Sequence, residues 1–258
     1  MAETNEPSGV GQTGIGVALS RALESDRPDR LFNDQVAKLF LEAVGYYRNI
    51  TAVAVRTRYF DDALLAASEH CLQVVLLASG LDARAFRLPW PAGTKLFEID
   101  LPKVLEFKEK VISKNNVEPT CERQVLAVDL RTDWPEELKK NGFDPSLPTA
   151  WLAEGLLVYL APEDVDTLVS RITELSRPGS RFIFDRHDMK IIEHHKRQLL
   201  ADVERQLYKS GISGHPAEWL EPLGWKTEAS LGTEMGKKYG REFVVEVGSG
   251  WLATAVRQ

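Results

Sequence analysis

Cysteine is scarce in this chain. Cys71 and Cys121 are the only two among 258 residues, which leaves out a disulfide framework and a thiolate metal cluster. Each follows a polar stretch and precedes an apolar one, so buried, unreactive thiols are expected. No apolar run approaches the roughly 20 residues of a membrane span. The opening MAETNEPSGVGQTG has neither the basic nor the apolar region of a secretory signal. A cytoplasmic, reducing location without a membrane partner is therefore expected. A basic stripe is also missing: 32 Lys and Arg face 38 Asp and Glu, for a net charge of −6, which argues against nucleic acid as a partner. The sequence has no GxGxxG loop, no phosphate-loop lysine and no GxSxG elbow, so neither a nucleotide diphosphate nor serine hydrolase chemistry finds support. His187, His194 and His195 gather in one segment. Adjacent histidines cannot share an ion from a regular helix, and His187 stands at no i+4 spacing, so no metal site is expected.

What is present reads as one domain. Hydrophobic residues make up 43% of the chain, enough for one substantial core. Residues 1 to about 12 are small and polar and read as disordered. Residues 13–70 form a helical block. Ile15, Ala18, Leu19, Ala22 and Leu23 share one face, Asn33 and Asp34 can cap a second helix closed by Gly45, and a third covers about Thr51 to His70. Five short apolar runs follow: Gln73–Ala78, Thr94–Ile99, Arg123–Val128, Thr149–Ala153 and Arg181–Phe184. Helical patterns separate them, among them Leu101–Ser113 and Pro162–Leu175. Buried strands alternating with helices predict a parallel sheet covered on both faces. A polar helical stretch, Asp188–Tyr208, belongs to an insert spanning 186–222. Trp225–Leu231 and Glu242–Val256 then read as a closing antiparallel pair, giving a seven-stranded α/β sheet.

In such a sheet a ligand binds beyond the carboxyl ends of the strands. After the first run come Ser79, Gly80, Leu81 and Asp82, where Gly80 lets the backbone approach a ligand. After the second, Glu98 and Asp100 point to one side, and either can accept from ribose hydroxyls, while Asp100 can instead cap the next helix. After the third, Asp129 can accept from an adenine amino group with Leu130 against the ring, or close an Asx turn. After the fourth, Glu154 leads into an apolar run containing Tyr159, a pocket wall with a carboxylate suited to a cation at its reaction end. Arg56 or Arg58 can grip a carboxylate through a bidentate fork. His187 follows the fifth strand and is a candidate cleft residue. Trp219, Tyr46 and Tyr47 are further candidates for the lining or for packing.

Taken in order, RTRYFDD, VVLLASGLDARAFRLPWP, LFEIDLPKVLEFK, VDLRTDWP and AEGLLVYL resemble the actinobacterial S-adenosylmethionine-dependent methyltransferases of the leucine carboxyl methyltransferase superfamily. The resemblance runs from about Gly11 to the closing WLATAVR. It implies a Rossmann-like class I methyltransferase fold with the last strand reversed. It also implies S-adenosyl-L-methionine as cofactor, with Ser79 to Asp82 at the methionine part, Asp100 at the ribose and Asp129 with Leu130 at the adenine. One arginine of RTR and Glu154 transfer more loosely. The acceptor does not follow: the bacterial branch includes small-molecule tailoring enzymes, so a carboxylate or hydroxyl of a small molecule or peptide is expected. A carboxylate would need no base, whereas a hydroxyl would call on His187 or Glu154. Two other readings are a nicotinamide oxidoreductase, disfavoured by the missing glycines, and a non-catalytic protein that binds S-adenosylmethionine or a partner on the same fold. The oligomeric state is not legible.

Overall fold

The computed structural model describes residues 10–42, 51–197, 207–245 and 250–258. The expected disorder of the first residues, the cap at Gly45 and the lining roles of Tyr46 and Tyr47 fall largely outside these ranges. Three helices come first: α1 (Val10–Ser25), α2 (Gln35–Glu42) and α3 (Thr51–Ser68). Asp34 caps α2 as expected, its Oδ1 accepting from the Ala37 N–H at 2.9 Å. The alternating region then supplies β1 (Gln73–Leu77), α4 (Arg84–Arg87), β2 (Lys95–Asp100), α5 (Pro102–Lys114), β3 (Glu122–Ala127), α6 (Trp134–Lys140), β4 (Thr149–Ala153), α7 (Pro162–Glu174) and β5 (Arg181–Arg186). Proline stands in the first turn of α5, α6 and α7, where its missing N–H costs nothing.

The seven strands form one sheet in the order β3-β2-β1-β4-β5-β7-β6, with β6 (Trp225–Leu231) and β7 (Trp251–Arg257) closing it. Only β7 runs against its neighbours, pairing antiparallel with β5 and β6. The antiparallel finish is therefore as expected, but two details differ. A helix, α10 (Gly232–Lys238), stands between the last two strands, and β7 begins at Trp251 rather than Glu242. The pattern Glu242–Val245 carries apolar residues but has no strand beside it. Within the insert, α8 (Met189–Arg197) and α9 (Pro216–Leu220) are helical, whereas Tyr208–Ser210 is not.

β1 explains why its apolar run is continuous. All five of its residues are buried. Val74 and Leu76 face a core shared with α1, α2 and α3, while Val75 and Leu77 face a second core with Trp134, Trp151 and α7 residues. Two covered faces require apolar side chains at both phases of the pleat. The first core also contains a buried charge group. Glu98 of β2 is fully buried and accepts from Lys108 Nζ of α5 at 2.6 Å and from Arg123 of β3 at 2.8 Å. Removing one partner of such a group leaves an uncompensated charge in the interior. Lys108→Met is therefore expected to lower the unfolding free energy by about 3 kcal/mol, measured by urea denaturation. The double variant Glu98→Met/Lys108→Met recovers part of that loss. Equal losses in both would show that the pair is not what stabilises this region.

Candidate functional site

A cavity of about 950 Å³ opens at the carboxyl ends of the strands, where the strand order reverses between β1 and β4. Its floor is the turn after β1. Ala78 (φ 51°) and Gly80 (φ 52°) both adopt left-handed backbone, which glycine tolerates and alanine does not, at about 1–2 kcal/mol. Backbone contacts hold the turn in place. The Ser79 N–H donates to the Ile99 carbonyl at 3.0 Å, and the Gly80 N–H donates to Asp100 Oδ2 at 2.6 Å. Asp100 Oδ1 accepts from the Leu101 N–H at 2.6 Å. One carboxylate thus ties the turns after β1 and β2 together, and each of its oxygens keeps a further lone pair. Burial raises the Asp100 pKa, against the pull of those two N–H groups. Ser79 Oγ is buried, lies on the cavity wall and meets no partner among the described residues. Such a hydroxyl costs about 1–3 kcal/mol unless a ligand atom reaches it.

The opposite wall is built on charge. Glu154, after β4, accepts from Arg21 of α1 at 2.9 Å, Arg56 of α3 at 3.0 Å and Arg84 of α4 at 2.7 Å. Arg84 also bonds Asp61 at 2.7 Å and pairs with Asp82. Arg87 bridges Asp61 at 2.6 Å and Asp34 at 3.2 Å. Arg56 reaches Asp185 of β5 at 3.5 Å, and Asp185 in turn accepts from the Gly155 N–H at 2.6 Å. Four guanidinium groups and five carboxylates therefore form one connected network joining α1, α2 and α3 to the turns of the sheet. Burial opposes the ionisation of Glu154, but the charges of Arg21, Arg84 and Arg56 override it and hold the carboxyl well below the usual range.

The model of the leucine carboxyl methyltransferase family matches residues 14–173, more than half of the chain. The chain belongs to the leucine carboxyl methyltransferase family. A Parafrankia protein named as a putative S-adenosyl-L-methionine-dependent methyltransferase is 41% identical over 97% of this chain and 88% of its own length. A Mycolicibacterium smegmatis protein of the same description is 38% identical, covering 96% and 95%. The chain is thus a methyltransferase that uses S-adenosylmethionine. Solved structures agree on the fold. A duf574 family protein from Streptomyces avermitilis superposes with a TM-score of 0.59 at 13% identity, covering 93% of this chain and 97% of its own. A Thermobifida fusca protein with the printed title "putative methyltransferase" gives 0.55 at 16% identity, covering 94% and 95%.

Of the residues singled out in the sequence, the methyltransferase brings Arg56, Ser79, Gly80, Leu81, Asp82, Asp100, Asp129, Leu130, Glu154, Tyr159 and His187 to the cavity. Glu98, Arg58 and Trp219 do not line it. Glu98 is spent inside the core on Lys108 and Arg123, because Lys108 of α5 packs over it, whereas Asp100 stands at the end of the strand. Arg58 faces outward, bonding Asp62 at 2.9 Å and the Leu31 carbonyl at 2.9 Å. Of the two acidic candidates only Asp100 therefore lines the cavity, and of the two arginines only Arg56. Asp129 lies at the rim, where Arg131 pairs with it at 2.5 Å. Glu154 as a general base is a correction: a carboxylate held by three arginines does not take up a proton near neutral pH. Tyr159 is pushed up to about 12 by burial and by nearby Tyr208, so it is a donor and not a base. The His187 ring lies 5.3 Å from that of Tyr208, which is 5.5 Å from Tyr159. Trp219 packs edge-on against Phe184 at 5.7 Å and beneath Arg186, away from the cavity. Cys71 is buried as expected, whereas Cys121 is only half-buried; desolvation pushes both thiols up, Cys121 to about 11. No cluster of His, Cys, Asp or Glu able to hold a metal occurs among the described residues.

Sequence reasoning missed Arg21, Arg84 and Asp185. Arg21 had a signal: Ala18, Arg21, Ala22 and Ser25 recur at helical spacing on one buried face. Asp185 was lost because the strand was ended one residue short of it. Arg84 lies just past Asp82, where nothing in the pattern sets a buried arginine apart from an exposed one.

Because the folded pKa of Glu154 is depressed, its stabilising contribution is complete above the unfolded value of about 4.3 and declines as pH falls below it. Glu154→Gln is expected to cost about 3 kcal/mol at pH 7, with the gap to the parent narrowing below about pH 4. Urea midpoints at pH 7, 5 and 3.5 test this. A gap that stays constant across the three would contradict the charge assignment.

Proposed function

We propose that this methyltransferase places the methyl group on an oxygen of a small molecule or peptide, and that this oxygen belongs to a carboxylate. One observation carries the reading: at the β4–β5 end of the cavity the acidic side chains are already committed. Glu154 and Asp185 are held by arginine and by the Gly155 N–H, and Tyr159 keeps its proton. That end offers hydrogen bonds to an anion more readily than it removes a proton from a hydroxyl. An acceptor ionised at neutral pH needs no base.

The cofactor would lie across the turns after β1 to β4. Asp100 would accept from the ribose hydroxyls, Asp129 and Leu130 would meet the adenine, and Ser79 and Gly80 would face the methionine part. Arg56, with Arg21 beside it, would take the amino-acid carboxylate through its fork. When bound, the cofactor supplies a methyl group already activated on a sulfonium, which the acceptor oxygen takes while sulfur keeps the bonding electrons. The protein's task is then to align and to dry the two reactants. The N-terminal helices and the described parts of 186–222 would enclose the acceptor. Arg186 fixes that second wall, donating to the Leu157 carbonyl at 3.1 Å, Ser210 Oγ at 2.8 Å and the Gly211 carbonyl at 3.2 Å.

A hydroxyl acceptor is the second reading, supported by His187, which lines the cavity beside Tyr208. The two readings part at His187→Gln. A carboxylate methyltransferase should lose less than about tenfold in kcat, and a hydroxyl methyltransferase about 10²–10⁴-fold. The cofactor reading is tested by calorimetric titration with S-adenosylhomocysteine alongside NADH. Binding of the first alone is expected, and Asp100→Ala should weaken it by about 1–3 kcal/mol. An Asp100→Ala variant that binds as well as the parent would remove Asp100 from the ribose.

A further inference from the structure

The cavity has two unlike halves. Charged groups line the turns after β1 to β4, in the network around Glu154 and at Asp100, Asp129 and Arg131, with Asp164 and Lys209 beside them. The outer half is an apolar arc assembled from four separate segments: Val17 of α1, Ile191 of α8, Phe243, Val244 and Val245 after α10, and Trp251 at the start of β7. None of the six carries a charge. Val244 is 98% exposed and Val245 40%. Their side chains therefore expose apolar surface to water beside this cavity. Contiguous exposed apolar surface beside a cleft marks a ligand groove more often than chance exposure does. Lys209 also lines the cavity, and its backbone N–H donates to the carbonyl of Val158, the residue before Tyr159, at 2.7 Å. A cavity of about 950 Å³ lies at the upper end of the range for small-molecule sites, about 300–1,000 Å³, and so has space for an acceptor beside a cofactor.

We propose that the acceptor is an amphiphilic carboxylic acid, its apolar body lying along the arc from Val17 to Trp251 and its carboxylate at the Tyr159 and Lys209 corner. The inference rests on the carboxylate reading above and adds the character of the rest of the molecule. An anion of small, wholly polar structure would leave the arc wet, whereas an alkyl or aryl body removes it from water. A cavity of this size suits a ligand of low molecular mass.

The test measures binding to the protein saturated with S-adenosylhomocysteine, so that it does not depend on finding the right reactive acid. Straight-chain acids of four, eight and twelve carbons are titrated calorimetrically, with hexanedioate and a hydrophilic pentapeptide as polar comparisons. Affinity should rise about two- to fourfold per methylene up to a plateau, the upper figure corresponding to about 0.8 kcal/mol per buried CH₂. Val244→Asp and Val245→Asp, both at exposed positions where folding is not at stake, should flatten that dependence and leave S-adenosylhomocysteine binding unchanged. Affinity independent of chain length, preference for the pentapeptide or hexanedioate, or no binding of any acid would overturn the inference. Failure of S-adenosylhomocysteine itself to bind would instead overturn the cofactor reading on which it stands.

Discussion

The carboxylate of Glu154, shared among Arg21, Arg56 and Arg84, is the interaction on which the rest of the site depends. Each arginine comes from a different helix, and Glu154 stands at the end of a central strand. Burying four cations and five anions is costly unless each finds a partner. The partners exist only when α1, α2 and α3 are seated on the sheet in one arrangement. The network is therefore better understood as a device that fixes position than as a source of net stability. Apolar packing of Ile15, Ala18, Phe40, Phe60 and Leu64 against β1 supplies the burial, and the charges select one register for it.

This has a consequence for chemistry. Two of the arginines that lock the helices, Arg21 and Arg56, also line the cavity, so these groups are held by several contacts each. A methyl transfer to an oxygen requires alignment more than it requires acid or base strength. A wall whose side chains are over-determined in this way suits that demand. The turn after β1 makes the same point on the other side: Ala78 sits in strained backbone, and Asp100 restrains the neighbouring Gly80 from the next strand. Strain held by surrounding contacts is a common mark of a binding turn.

Much of this was legible in the sequence. Apolar runs overlapped all seven strands, and proline marked the starts of α5 and α7. Positions just after strands pointed to Ser79, Gly80, Asp100, Asp129 and Glu154. What escaped has a physical reason in each case. Glu98 and Asp100 share a strand phase, and only the packing of Lys108 against β2 decides which of them is consumed in the core. Arg56 and Arg58 are two residues apart on a helix, so they point to different sides, but which side meets Glu154 depends on how α3 docks. α10 is seven residues long, too short for periodicity to reveal it between β6 and β7. Arg84 and Arg21 carry charges that pattern reading assigns to the surface, and their burial is intelligible only once their carboxylate partners are in place.

The central claim is that the N-terminal helices are part of the cofactor site, coupled to it through Glu154. Hydrogen–deuterium exchange with and without S-adenosylhomocysteine tests it most directly. The account predicts slowed exchange both in the turns after β1 and β2 and in the segments of α1 and α3 that carry Arg21 and Arg56. Protection confined to the sheet turns, with α1 and α3 unchanged, would contradict it.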